Sequence, residues 1–203
     1  MRHTFRATVV SCVALSFTLA MTDVVATAST SRLASELITP AQFAKGWHIY
    51  TLSSGGVSDG CLSNVVGLSN VLSVKGVKQT ANAKVFIEDH QSVPVVSELL
   101  ATYSNVSSAY ASIVKSLAAC KKVNAKIFGV AVKGSMKETS LAHFGNASQA
   151  FLASTSVMGT TFDEDVVIVR KGDVVVGLIE GGLPPVNVHQ FEGIVSKALA
   201  RVP

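Results

Sequence analysis

Two runs of branched apolar residues, Val166-Val167-Ile168-Val169 and Val174-Val175-Val176, stand on either side of Lys171-Gly172-Asp173. No other stretch limits the fold as tightly. Branched side chains suit the pleated strand, and Gly172 can adopt the positive φ that a tight hairpin turn requires. The spacing predicts a hairpin over residues 165–179. Because its runs are continuously apolar and do not alternate, the strands are expected to be central, covered on both faces or on one by a partner subunit.

The rest of the chain supplies elements to cover them. Strands are expected at residues 47–52, 72–77 and 83–88, and at 126–133, 141–151 and 154–161, the last three leading into the hairpin as an antiparallel meander. Between residues 94 and 120, Val96, Leu99, Tyr103, Val106, Tyr110, Ile113 and Leu117 fall three and four apart, a helical seam that Leu100 and Val114 widen. Cys120 is the next step on that seam. Lys115, Lys121 and Lys122 lie in or near its last turn, where they suit the negative end of the dipole. A final helix is expected after Asn187, with Gln190 completing a capping box. Its inner stripe is Val188, Phe191, Val195, Ala198 and Val202, with Ile194 and Leu199 beside it. Thr39-Pro40 begins a shorter helix that Gly46 ends, and residues 181–185 read as a loop. The expected fold class is α/β of the α+β kind: an antiparallel sheet covered by a long central helix and a C-terminal helix.

The N-terminus points outside the cytoplasm. Arg2, His3 and Arg6 precede an apolar stretch over residues 7–21, and Ala26-Thr27-Ala28 has the small-x-small form of a signal-peptidase site. Residues 1–28 are therefore expected to be a signal peptide cleaved after Ala28, with a single domain over residues 29–203. The apolar stretch is shorter than the ~20 residues of a membrane-spanning helix, so no stable span is expected after cleavage. Two alternatives are an uncleaved anchor and lipid attachment at Cys12 after Val9-Val10-Ser11. Removing 28 of 203 residues leaves 175, enough for one domain with a real core. The signal takes Arg2, Arg6 and Asp23 with it, so the net charge falls from +4 to +3. No basic stripe interleaved with aromatics accompanies that excess, which argues against nucleic acid as a partner. Cys61 and Cys120 remain, and in an oxidising compartment two such cysteines are expected to pair.

Chemistry-bearing residues are sparse. The histidines of the mature chain are His48, His90, His143 and His189. Glu88-Asp89-His90 offers ligand types, but adjacent residues of a strand point to opposite faces and cannot converge on one ion. Asp163-Glu164-Asp165 lacks the ligand ladder of a calcium loop and reads as a solvated loop. No G-x-S-x-G elbow occurs, since Gly67-Leu68-Ser69-Asn70 lacks its closing glycine. Neither Gly55-Gly56 nor Gly181-Gly182 continues into the Lys-Ser/Thr of a phosphate loop. No catalytic, metal or cofactor-binding residues are expected.

Leu37-Ile38-Thr39-Pro40-Ala41 with Gly46-Trp47, then Ser58-Asp59-Gly60-Cys61, Leu117-Ala118-Ala119-Cys120 and the 166–179 hairpin before a last helix resemble exported sensor-type domains of mycobacteria and other actinobacteria. The extracellular sensor domain of the mycobacterial kinase PknH typifies that family. The resemblance covers residues 33–202 and implies a mixed α/β, non-enzymatic domain that binds a ligand in a cleft. Family members of the kinase kind carry two disulfides, whereas Cys61 and Cys120 allow one. The expected role is a secreted or cell-envelope binding or sensor-type protein without cofactor, its ligand a small apolar or envelope-derived molecule. Two rivals are an envelope hydrolase and a host-facing interaction protein whose partner is another protein.

Overall fold

Strand pairing in the computed structural model is antiparallel throughout. The structure describes residues 32–43, 46–50, 57–58, 74–81, 85–88, 94–127, 130–182 and 187–203. The strands are β1 (Trp47–Tyr50), β2 (Val57–Ser58), β3 (Val77–Ala81), β4 (Val85–Glu88), β5 (Val95–Tyr103), β6 (Val123–Ile127), β7 (Val130–Thr139), β8 (Ala147–Val157), β9 (Thr160–Lys171) and β10 (Val174–Gly182). They lie in the order β1-β4-β5-β10-β9-β8-β7-β6-β2, with β3 also paired to β5. Among the described residues the helices are α1 (Arg32–Glu36), α2 (Val106–Ala118) and α3 (Val188–Leu199), with one 3-10 turn at Pro40–Gln42. An α+β fold on an antiparallel sheet is the outcome, with the β9–β10 hairpin at its centre as its apolar runs predict.

Alternation along the central strands divides the interior into two cores. On one face Val96 and Leu100 of β5, Val167 and Val169 of β9, and Val174, Val176 and Leu178 of β10 pack against Leu33, Ile38, Phe191, Val195 and Ala198 of α1, its following segment and α3. On the other, Leu99, Tyr103, Phe151, Val166, Ile168, Val175 and Ile179 pack against Ala109, Ile113 and Leu117 of α2. Burial of both faces is what the unbroken apolar runs require. Asn187 caps α3 by accepting from the Gln190 N–H, and Phe191, Ile194, Val195, Ala198 and Leu199 are its buried stripe. Val188, expected in that stripe, is exposed because it begins the helix before its inner face meets the core.

The long helix over 94–120 is the main correction. Its first third is strand β5, and only Val106–Ala118 is helical. Between them Asn105 accepts a hydrogen bond from the Ser108 N–H and caps α2. Residues 96–101 are all buried. A strand covered on both faces shows no alternation, so helical spacing can be picked out of it by chance. Four smaller corrections share one cause, misplaced turns. The strand expected at 72–77 starts at Val77, and that at 126–133 is two strands, β6 and β7. Residues 141–151 and 154–161 contribute to β8 and β9, which turn at Met158-Gly159, where both residues have positive φ. Gly181 and Gly182, expected in a loop, end β10. The signal segment with Cys12 and Ala28, and Cys61, His90 and Asp89, lie outside the described residues. No helix among the described residues is long and apolar enough to cross a membrane.

Candidate functional site

Carboxyl groups are placed where the composition gives least warning of them. Asp163-Glu164-Asp165, expected as a solvated loop, lies inside β9, and its alternation sends Asp163 and Asp165 to the α3 face and Glu164 to the α2 face. On β10, Glu180 continues the line of Val174, Val176 and Leu178 on the α3 face and pairs directly across from Asp165. On β5, Glu98 shares that face, one diagonal step from Glu180 because Val96 is Glu180's direct partner. Relative exposure is 0% for Glu98, 7% for Glu164, 4% for Asp165 and 1% for Glu180. Buried carboxylates are costly unless paired. Yet Glu98 Oε1, Glu164 Oε2, Asp165 Oδ2 and Glu180 Oε2 are buried without a hydrogen-bond partner.

Each carboxyl has its own surroundings. Glu98 accepts from the Ile38 N–H at 2.5 Å through Oε2. Burial pushes it up to about 7, opposed by that bond and by the Arg201 charge. Glu164 sits between two small direct partners, Ala153 and Gly181. A side chain at position 181 would begin 3.3 Å from Glu164 Cγ, so the glycine makes the room the carboxyl occupies. Burial alone pushes Glu164 up to about 7. Glu180 is pushed up to about 7 first by burial and then by the negative charge of Asp165. Asp165 is raised by burial and by Asp163. Opposed carboxyls on one face cannot both ionise cheaply, so the Asp165–Glu180 pair holds a proton that exposed carboxyls would have released.

Residues 32–42 form a strap over the α3 face. Arg201, just past α3, donates from Nε to the Leu37 carbonyl at 2.8 Å and from its terminal nitrogen to Ser35 at 2.6 Å. Lys171 Nζ donates to the carbonyls of Leu199, at 2.7 Å, and Val202, satisfying the end of α3 as cations do there. Phe43 stacks on Trp47 with ring centroids 4.5 Å apart. A groove of about 410 Å³ beside the strap is lined by Arg32, Leu33, Lys78, Gln79, Tyr103 and Asp173 among others. Its charged side chains are exposed, with Arg32 bonded to Glu36 at 2.7 Å and 3.9 Å from Asp173, while Leu33 and Tyr103 are buried. A second groove, of about 250 Å³, runs along Thr139–Ala142 and Ser148–Ala150.

The described histidines take no part in these arrangements. His48, His143 and His189 are exposed, and His189 meets only Glu192, at 3.6 Å on the surface of α3. Among the described residues no group of three or more His, Cys, Asp or Glu converges on a metal position. Cys120 is buried at the end of α2, in the α2-side core, as its place on the helical seam implies. Sequence reasoning missed the carboxyl row. The available signal was the two-residue step from Asp163 and Asp165 into the alternation of the hairpin, and the matching step from Leu178 to Glu180.

No family model and no curated protein matches the chain. Among solved structures, the extracellular domain of PknH from Mycobacterium tuberculosis is similar, with a TM-score of 0.65 and 10% sequence identity. The match covers 86% of this chain and 96% of that one. At that identity the likeness is one of fold.

Proposed function

We propose that this chain is an exported, envelope-facing binding domain of sensor type, without catalytic activity, that recognises a small envelope-derived molecule. The observation that carries the proposal is the shared architecture with an extracellular domain over nearly its whole length. The N-terminal pattern that ends at Ala28 and the Cys61–Cys120 pair agree with a life outside the cytoplasm. Ligand sites are concave with a few convergent polar groups. Here polar and charged side chains such as Arg32, Lys78, Gln79 and Asp173 line one described groove, and the buried Glu98 lies on the sheet below the strap. A ligand with a polar or charged head therefore fits better than a purely apolar one.

Native mass spectrometry of protein purified from its own host tests this. A stoichiometric adduct released on denaturation is the expected result. A bare polypeptide mass in preparations that are folded by circular dichroism would overturn the small-molecule reading.

A further inference from the structure

We infer that the Asp165–Glu180 pair, with Asp163 at its rim, receives a primary ammonium group of the ligand. The inference rests on the binding role proposed above and gives it a chemistry. Asp165 and Glu180 face each other directly across β9 and β10, where opposed Cβ atoms lie about 4.5–5.5 Å apart. Each keeps one buried oxygen without a partner. Asp163 lies on the same face of the same strand and is only partly buried, so it extends the pair toward the strand's outer end. Its direct partner, Gly182, is buried and adds no side chain beside it.

The chemistry selects the occupant. Hard divalent cations want about six or more oxygens in a shell, and the described residues converge on no such set. An ammonium group carries three donors and no acceptor, and charge-assisted bonds to carboxylates are about twice as strong as neutral ones. Anions are excluded by the charge of these carboxyls. Without ligand, the pair shares one proton. Binding of R–NH3+ breaks the shared O–H, releases that proton to solvent and leaves two carboxylates bonded to the ammonium, so charge balances. Among the described residues, Asp163 on β9 raises Asp165, Glu98 on β5 shares the face, and Arg201 acts on Glu98 from the end of α3. Arg201 is already bonded to the carbonyls of Leu37 and Ser35.

Isothermal titration of the intact exported chain with cadaverine, against 1-pentanol and calcium, tests the site. Cadaverine should bind about tenfold more tightly at pH 8 than at pH 6, because one proton is displaced from Glu180, which is pushed up to about 7, while 1-pentanol and calcium should not bind. Glu180→Gln should weaken cadaverine at least tenfold and remove the pH dependence. Asp165→Asn, the second variant, should do the same if Glu180→Gln folds poorly. Glu138→Gln, an exposed residue of β7 on the α2 side of the sheet, should bind as the parent does. Three results each overturn the inference: no cadaverine binding at either pH, unchanged binding by both folded variants, or calcium binding in its place. A co-purified ligand lacking an amine would sink the ammonium site and leave the binding role standing. A bare mass together with cadaverine binding would do the reverse.

Discussion

At the scale of single residues, the energetics turn on Glu164. It is closed in between Ala153 and Gly181, and burial alone holds it near 7. A folded-state value raised above the unfolded value means the folded state binds the extra proton. The protonated form is favourable below about 4.5, and stability is lost as pH climbs from there through about 7. Above that window the ionised group costs about 3 kcal/mol, at about 1.4 kcal/mol for each tenfold change in proton affinity. Glu164→Gln should therefore raise the stability measured by urea unfolding at pH 8, leave it nearly unchanged at pH 4, and flatten the profile between. A variant profile as steep as the parent's would show that another group sets the slope. The sequence conceals this residue because three consecutive acids look like a solvated turn. Their place inside β9 sends Asp163 and Asp165 to one face and Glu164 to the other. The hydrophobic hairpin beside them carries enough burial to hold polar residues inside.

Among the elements, the β9–β10 hairpin and α3 were legible because each carries two agreeing signals. The hairpin has branched runs and a glycine turn, and α3 has a capping residue and an apolar stripe. β5 and α2 were not separable by periodicity, since β5 is covered on both faces and its residues satisfy any period. Ser104-Asn105 was the available boundary, a capping residue before a helix that carries its own amphipathic face. Asn105→Ala should accordingly cost about 1 kcal/mol in chemical unfolding. If it proves neutral, α2 is held by packing alone.

Gly134 on β7 makes a sharper case at the same scale. A Cβ there would stand 2.3 Å from the Ser154 carbonyl oxygen and 2.9 Å from Thr155 Cα. Those are backbone atoms of the paired strand and cannot swing aside. Gly134→Ala is expected to cost about 1–3 kcal/mol, the usual range for overpacking, whereas Gly159→Ala meets nothing within 4 Å and pays only for its positive φ. Equal losses in the two variants would mean that backbone conformation, and not the close strand approach, sets the requirement for glycine.

For the molecule as a whole, the strap and the C-terminal segment are drawn together on the α3 face. Arg201 fastens the strap at Ser35 and Leu37, and Glu98 fastens it from below at Ile38. Arg201 also opposes the rise of Glu98. Arg201→Ala should thus loosen two attachments at once, giving faster proteolysis within residues 32–42 than in the parent. Intact strap resistance would place the holding force in Leu33 and Ile38, which are buried in the same core.

The opposite face depends on the bond proposed between Cys61 and Cys120. Cys120 ends α2 inside the core with Ile113 and Leu117, so a covalent link there would restrain the helix covering β5, β9 and β10. Closing a loop of about 60 residues stabilises by about 4 kcal/mol through the unfolded chain. For a domain of this size that corresponds to about 8–16 °C in Tm, at about 2–4 °C per kcal/mol. Reduction of the oxidised protein should lower Tm by that amount, and Cys61→Ser should melt where the reduced parent melts. Cys61→Ser is the cleaner variant, because a serine at 120 would also bury a hydroxyl in an apolar cluster. Should the oxidised and reduced proteins melt together, with two thiols titrating after denaturation without reductant, α2 would be held by its apolar face alone. The link between export and stability would then be lost.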